Sequence, residues 1–164
     1  MTKQYAVLMV CMGNICRSPT AEGVLRAHLQ QAGLDRQVTV DSAGTHAYHI
    51  GEAPDPRSCK AALRRGYDLS AQRARQVSTA DFQRFDLILA ADRANMTALR
   101  TLCPPGSPAR LDFILAPLGQ RPALEVPDPY YGGAGGFDRV LDLIEEASQL
   151  WVEQLRQTLS AAAD

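Results

Sequence analysis

One stretch of the chain combines residue types and spacing that could do chemistry: Cys11-Met12-Gly13-Asn14-Ile15-Cys16-Arg17-Ser18. Five residues separate a thiol from a guanidinium, and a hydroxyl follows at once. A thiolate is a strong nucleophile, and helix N-termini and nearby cations favour it over the thiol. The planar fork of Arg17 can grip two oxygens of a phosphate, which Lys, a point charge, cannot. The Ser18 hydroxyl can donate to the sulfur and ease its departure in a second step. The chemistry implied is attack by sulfur on the phosphorus of a bound phosphate ester. For a lone Cys the plainer reading, small packing residues beside a solvated Arg, would be preferred.

What surrounds the stretch decides between the two readings. Tyr5 to Cys11 is a short apolar run that stops at Gly13-Asn14, as expected of a strand buried on both faces of a parallel sheet. Ser18-Pro19 reads as a helix start, with Ser18 at the N-cap and Pro19 at the first helical position. A strand, a tight loop and a helix start make an anion cradle, because inward backbone N–H groups add to the positive end of the helix dipole. Gly13 and Asn14 suit the positive φ angles such a curl needs. Cys11 then sits under the anion, with Met12, Gly13, Asn14, Ile15, Cys16 and Ser18 around it. A Walker loop is excluded, because no Gly-Lys-Ser/Thr triplet occurs.

Further along, Val38, Val40 and a turn at Ser42-Ala43-Gly44 suggest a second strand. Residues 44 to 57 read as a long loop holding His46, Tyr48 and His49, and Arg57 to Arg65 as a helix stopped by Gly66. Ser78-Thr79-Ala80-Asp81 resembles a capping box. Asp86 to Ala91 is a third strand, Arg93 to Leu102 a helix, and Leu111 to Leu115 a fourth strand. Residues 116 to 136 form a Pro- and Gly-rich loop, with a flexible turn at Gly132 to Gly136. Val140 to Leu155 mark a long amphipathic helix. The alternation predicts an α/β fold: one domain over 1–164, with a mostly parallel four-stranded sheet, helices on both faces and the phosphate-binding loop after the first strand. Ligands of such folds sit beyond the carboxyl ends of the strands.

Composition narrows the function. The chain has 164 residues, 46% hydrophobic and 21% charged, with a net charge of −1 from 17 basic and 18 acidic residues. That balance argues against a nucleic-acid or membrane partner, so any anion must be held by a local site. Four unevenly spaced cysteines do not resemble a secreted disulfide framework. The apolar run at Ala6 to Cys11 is too short for a leader, and a cytoplasmic location is expected. The three His residues show no ligand spacing tied to the cysteines, so no metal and no cofactor are expected.

Residues 8 to 23, with their Cys-x-Gly-Asn-x-Cys-Arg-Ser-Pro run and Ala21-Glu22, resemble the low-molecular-weight protein tyrosine phosphatase family. Asp41 to Thr45, Gly51, Asp55, Arg57, Ala74-Arg75-Gln76, Asp81-Phe82, Phe85-Asp86 and Asp128-Pro129-Tyr130-Tyr131-Gly132 extend the resemblance over essentially the whole chain. It implies that Cys11 forms a phosphocysteine intermediate, that Arg17 binds the phosphoryl group and that Asp128 is the general acid. By itself Asp128 reads as a turn carboxylate between two prolines. Met12, Tyr48, Tyr130 and Tyr131 would wall a slot for an aromatic ring, with Asn14 and Ser42 bracing the loop. Vertebrate members usually carry Trp where Tyr48 stands, and a His where Gln72 does. Gln72 can also donate and accept, so a working but retuned loop brace by Ser42 and Gln72 is expected; the plainer reading of Tyr48 and Gln72 is ordinary surface residues. The resemblance also implies a reversible Cys11–Cys16 disulfide; the alternative is Cys16 as a packing residue. The partner implied is a tyrosine-phosphorylated protein, a bacterial tyrosine kinase among the candidates, met by a monomer or weak dimer. Two rivals stand beside this reading. A thiol-dependent arsenate reductase needs relay cysteines that residues 80 to 102 lack, and a non-catalytic phosphotyrosine-binding module would have lost Cys11, Arg17 or Asp128.

Overall fold

The central strand, β1 (Tyr5–Cys11), is flanked on one side by β2 (Val38–Gly44) and on the other by β3 (Leu87–Ala90), with β4 (Arg110–Phe113) beyond β3. The sheet order is β2-β1-β3-β4, and every pairing is parallel. The computed structural model describes residues 4–119, 125–131 and 135–163, with the backbone alone for Tyr131 and Ala163.

Strand alternation sorts the core into two layers. Val7, Met9, Leu87 and Leu89 face α1 (Arg17–Gln31), α2 (Pro56–Arg64) and α5 (Gly135–Ala163), meeting Val24, Leu25, Ala62, Ile144 and Trp151. Leu8, Val10, Ile88 and Ala90 face the other way. They meet Phe82 of α3 (Asp81–Arg84), Phe85, and Met96 and Leu99 of α4 (Arg93–Leu102). Each fully buried Leu, Ile or Phe contributes about 1.5–3 kcal/mol, and this covering of both faces keeps the sheet out of water. Trp151 also donates its indole N–H to the Ile114 carbonyl at 2.7 Å, anchoring α5 to the segment after β4. Among the described residues, no helix is long and apolar enough to cross a membrane.

Four sequence expectations are corrected. Ser18 is not the helix cap: α1 begins at Arg17 after Cys16, with no side-chain cap, because the Ser18 hydroxyl is drawn to the site. Ser42-Ala43-Gly44 is the end of β2 rather than a turn. Gly13 does not take a positive φ, whereas Asn14 does, at 59°. Gly135 and Gly136 open α5 instead of lying in a flexible turn; Gly132, Gly133 and Ala134 lie outside the described residues. The other boundaries shift by a residue or two, and the loop of 116–136 contains short 3₁₀ turns at Ala116–Leu118 and Pro129–Tyr131. The expected capping box survives in part: Asp81 accepts the Ser78 N–H at 2.8 Å, while α3 itself starts at Asp81.

From β1 the chain passes to β2 on one side and the sheet continues with β3 on the other. This leaves a crevice beyond the strand ends, where ligands of open α/β sheets bind. The loop after β1 lies there, pressed against the end of β2. A Cβ on Gly44 would lie 2.8 Å from the Met12 carbonyl oxygen and 3.1 Å from the Gly13 carbonyl carbon. Gly44→Ala is therefore expected to lower stability by about 1–3 kcal/mol and to weaken competitive inhibition by inorganic phosphate. Urea unfolding and inhibition constants check both; unchanged values would mean that the loop is not held by this contact.

Candidate active site

The loop after β1 turns its carbonyls outward. Those of Cys11 and Met12 accept the N–H groups of Thr45 and His46, each at 2.9 Å, and that of Ile15 accepts the Asp55 N–H at 2.8 Å. In a trans peptide the C=O and the following N–H point opposite ways. The N–H groups of Met12, Gly13 and Cys16 are thereby turned away from those partners. The Asn14 N–H lies 3.3 Å from the Cys11 sulfur. With the unpaired N–H groups of the first turn of α1, the loop offers an anion a ring of donors.

Behind the loop lies a buried hydrogen-bond chain. The side-chain carbonyl of Asn14 accepts the Arg75 N–H at 3.0 Å, which fixes its amide. Its two N–H bonds then go to Ser18 Oγ at 2.8 Å and Ser42 Oγ at 3.0 Å. Ser42 Oγ in turn donates a hydrogen bond to Glu22 Oε1 at 2.7 Å. Ser18 Oγ lies 3.0 Å from Cys11 Sγ, and with the sulfur ionised Ser18 is the donor. Gln72 reaches Ser42 only at 3.5 Å and bonds more closely to the Pro19 carbonyl, at 3.0 Å. It therefore braces the first turn of α1 more firmly than it braces Ser42. Glu22 is a site residue to which the sequence reading gave no role; its place inside α1's first turns, where an apolar residue is expected, was the available signal.

Arg17 is 4% exposed. Its Nη1 donates to Asp92 Oδ2 at 2.7 Å and to the Val126 carbonyl at 3.1 Å, and its Nη2 lies 3.7 Å from Asp128 Oδ2. Burial alone would lower its pKa, but the charges at Cys11, Asp92 and Asp128 outweigh that and hold the guanidinium above its ordinary value. Asp92 was not anticipated. It caps α4, accepting the Asn95 N–H at 2.8 Å, and spends its second oxygen on Arg17. The segment that carries Asp128 is rooted nearby: Val126 donates to the Ala91 carbonyl, and Glu125 accepts the Arg93 N–H, each at 2.8 Å.

Cys11, Met12, Gly13, Ile15, Cys16, Arg17, Tyr48, His49, Asp128 and Tyr130 line one cavity of ≈ 220 Å³. Thus most of the expected site residues converge, while Asn14, Ser18 and Ser42 lie buried behind the wall. The Tyr131 side chain lies outside the described residues. Tyr48 is exposed at the rim and stacks on His46, with ring centres 5.2 Å apart. His49 reaches further in: a Cβ on Gly13 would lie 3.0 Å from its ring. That close approach, not backbone twist, is what Gly13 provides. Cys16 is buried against Ser58, and burial, with the charges of Asp55, Cys11 and Asp128, pushes its thiol up to about 12. Cys11 and Cys16 are both free cysteines.

Residues 6–161 match the family described as low molecular weight phosphotyrosine protein phosphatase. The chain belongs to this family. A low molecular weight protein-tyrosine-phosphatase from Streptomyces coelicolor is 42% identical over 162 residues, covering 97% of this chain and 98% of that protein. A putative one from Synechocystis is 45% identical over 142 residues, covering 86% and 90%. The crystal structure of a protein tyrosine phosphatase from Entamoeba histolytica, with Hepes in its active site, superposes with a TM-score of 0.89. It is 38% identical and covers 94% of this chain and 99% of that one. These matches favour a phosphatase over the arsenate reductase and the binding module.

The phosphatase's buried chain has a pH signature. Burial pushes the Glu22 carboxyl above the usual range, although the Ser42 hydroxyl and Arg26 draw it down. A carboxyl raised in the folded state stabilises that state fully below its unfolded value, about 4.3 for Glu, and this contribution is lost as pH rises through the folded value. Urea unfolding from about pH 4 to pH 7 is expected to show a loss of stability that is smaller in Glu22→Gln, whose amide carbonyl still accepts from Ser42. Identical pH profiles would mean that Glu22 titrates as an exposed carboxyl.

Proposed function

We propose that this phosphatase hydrolyses phosphotyrosine in proteins by two displacements at Cys11. The observation that carries this reading is that Cys11, Arg17 and Asp128 line one cavity, beside a loop whose carbonyls of Cys11, Met12 and Ile15 are held by other partners.

In the first displacement the thiolate attacks phosphorus and the bond from phosphorus to the phenolic oxygen breaks. Asp128 gives its proton to that oxygen, which the thiolate cannot do. The equatorial oxygens are held by loop N–H groups and Arg17, whose contacts strengthen as charge spreads in the transition state. In the second, Asp128 takes a proton from water, the oxygen of that water bonds to phosphorus, and the sulfur leaves as thiolate. Ser18 donates to it as it departs. The apolar and aromatic surfaces of Met12, Ile15, Tyr48 and Tyr130 flank the substrate ring, so a long aryl ester reaches the sulfur more readily than a short alkyl one. Ser42, Asn14 and Gln72 hold the loop in shape between turnovers. No metal or cofactor has a part in these steps.

The physiological partner fits a tyrosine-phosphorylated protein, such as a bacterial tyrosine kinase, met in the cytoplasm by a monomer or weak dimer. Cys16 supports redox regulation of the same site. Peroxide oxidation of Cys11 to its sulfenic acid, followed by attack of the Cys16 sulfur, forms a disulfide and releases water. A protonated Cys16 stays inert until then.

Single-turnover quenching of the enzyme on an aryl phosphate is expected to trap phosphate on Cys11, and Cys11→Ser to abolish both the adduct and turnover. Asp128→Ala is expected to slow esters of poor leaving groups about 10²-fold or more, and those of good leaving groups far less. An adduct on another residue, or a uniform loss across esters, would overturn the corresponding assignment.

A further inference from the structure

Asp128 stands in a segment that does not belong to the phosphate loop, yet proton transfer needs the two held in register. Arg17 and the backbone bonds of Val126 fix the root of that segment. What bears on its far side is α2. The first residues of this helix touch both halves of the site.

Asp55 donates its N–H to the Ile15 carbonyl of the phosphate loop at 2.8 Å. Its carboxylate caps α2, accepting the Arg57 N–H at 2.8 Å. It also takes the Arg57 side chain in a fork, Nε to Oδ1 at 3.1 Å and Nη2 to Oδ2 at 2.9 Å. The paired guanidinium cannot rotate away without breaking both bonds. It lies over two rings, 5.3 Å from the centre of Tyr130 and 4.9 Å from that of Phe137. Tyr130 is two residues beyond Asp128, and its N–H donates to Asp128 Oδ1 at 3.1 Å. Phe137 is buried in the first turn of α5, so the clamp rests on the core.

We propose that Arg57 is a positioning residue for proton transfer: held flat by Asp55, which also grips the phosphate loop, it bears on Tyr130 and keeps Asp128 in reach of the leaving oxygen. The inference rests on the reading of Asp128 as the acid. Arg57 itself touches no reacting atom. A planar cation suits this task because it can take an ion pair in its plane and an aromatic ring on its face at once. A small misplacement of a catalytic group costs rate steeply.

The test is the dependence of kcat/KM on leaving-group pKa across a series of aryl phosphates, measured for the unmodified enzyme, Arg57→Ala, Arg57→Lys, Asp128→Ala and Arg57→Ala with Asp128→Ala. Arg57→Ala is expected to slow poor leaving groups about tenfold more than good ones, a fraction of the ~10²–10⁴-fold that loss of a general acid costs. On the Asp128→Ala background the same change is expected to add no leaving-group dependence. Arg57→Lys keeps a cation for Asp55 but no flat face, and is expected to show the same selective loss. It carries the test if Arg57→Ala fails to fold. A uniform loss across the series, or an unchanged profile with lowered thermal stability, would reduce Arg57 to a structural residue and overturn the proposal. A flat profile in Asp128→Ala would instead overturn the assignment of the acid, independently of Arg57.

Discussion

The side-chain amide of Asn14 has one acceptor and two donors, and the site depends on the direction in which each is used. Arg75 occupies the acceptor, so both N–H bonds point at hydroxyls. Ser42 must then send its proton to Glu22, leaving Ser18 to give its own to the sulfur. An isosteric acid or a flipped amide would reverse part of the chain and set lone pairs against lone pairs. Buried polar groups are costly when half satisfied and rigid when fully satisfied. The left-handed backbone of Asn14 is held by the same bonds that orient its amide.

Charge is managed by a similar economy of partners. A buried guanidinium costs several kcal/mol in lost hydration unless it is matched by anions and carbonyls. Arg17 has Asp92, the Val126 carbonyl and the nearby Asp128. Asp92 comes from the loop after β3, and Val126 and Asp128 from the segment after β4. The group proposed to grip the phosphoryl oxygens is therefore also what draws the loop after β3 and the segment after β4 onto the loop after β1. Substrate oxygens arriving beside Arg17 would enter a network already assembled, with little reorganisation left for the transition state.

Much of this was legible beforehand, for identifiable reasons. Apolar runs and Gly or Pro stops located β1 and α4 because both signals are local. The Cys11–Ser18 stretch was legible because the cradle is built from contiguous residues. Ser18 was read both as a helix cap and as a donor to the sulfur, and only the cap reading failed, because its hydroxyl is engaged by Cys11 and Asn14 instead of a helix N–H. Ser42-Ala43-Gly44 looked like a turn because small residues favour turns, whereas here their smallness lets β2 run close under the loop. Asp92 looked like any residue before a helix, and nothing in its neighbourhood marks its second oxygen for Arg17.

The amino-acid sequence by itself determined the alternation of strands and helices, the place of the Cys11–Ser18 loop after β1 with its candidate nucleophile and cation, and the family, since these are written in periodicity and in unbroken motifs. The tertiary structure decided which distant groups meet them: Glu22 through Ser42, Asp92 and Val126 at Arg17, Arg57 at Tyr130, His49 at Gly13. Hydrogen-bond partners are chosen by side-chain direction within a few tenths of an ångström, and that is fixed only once the sheet and helices are packed.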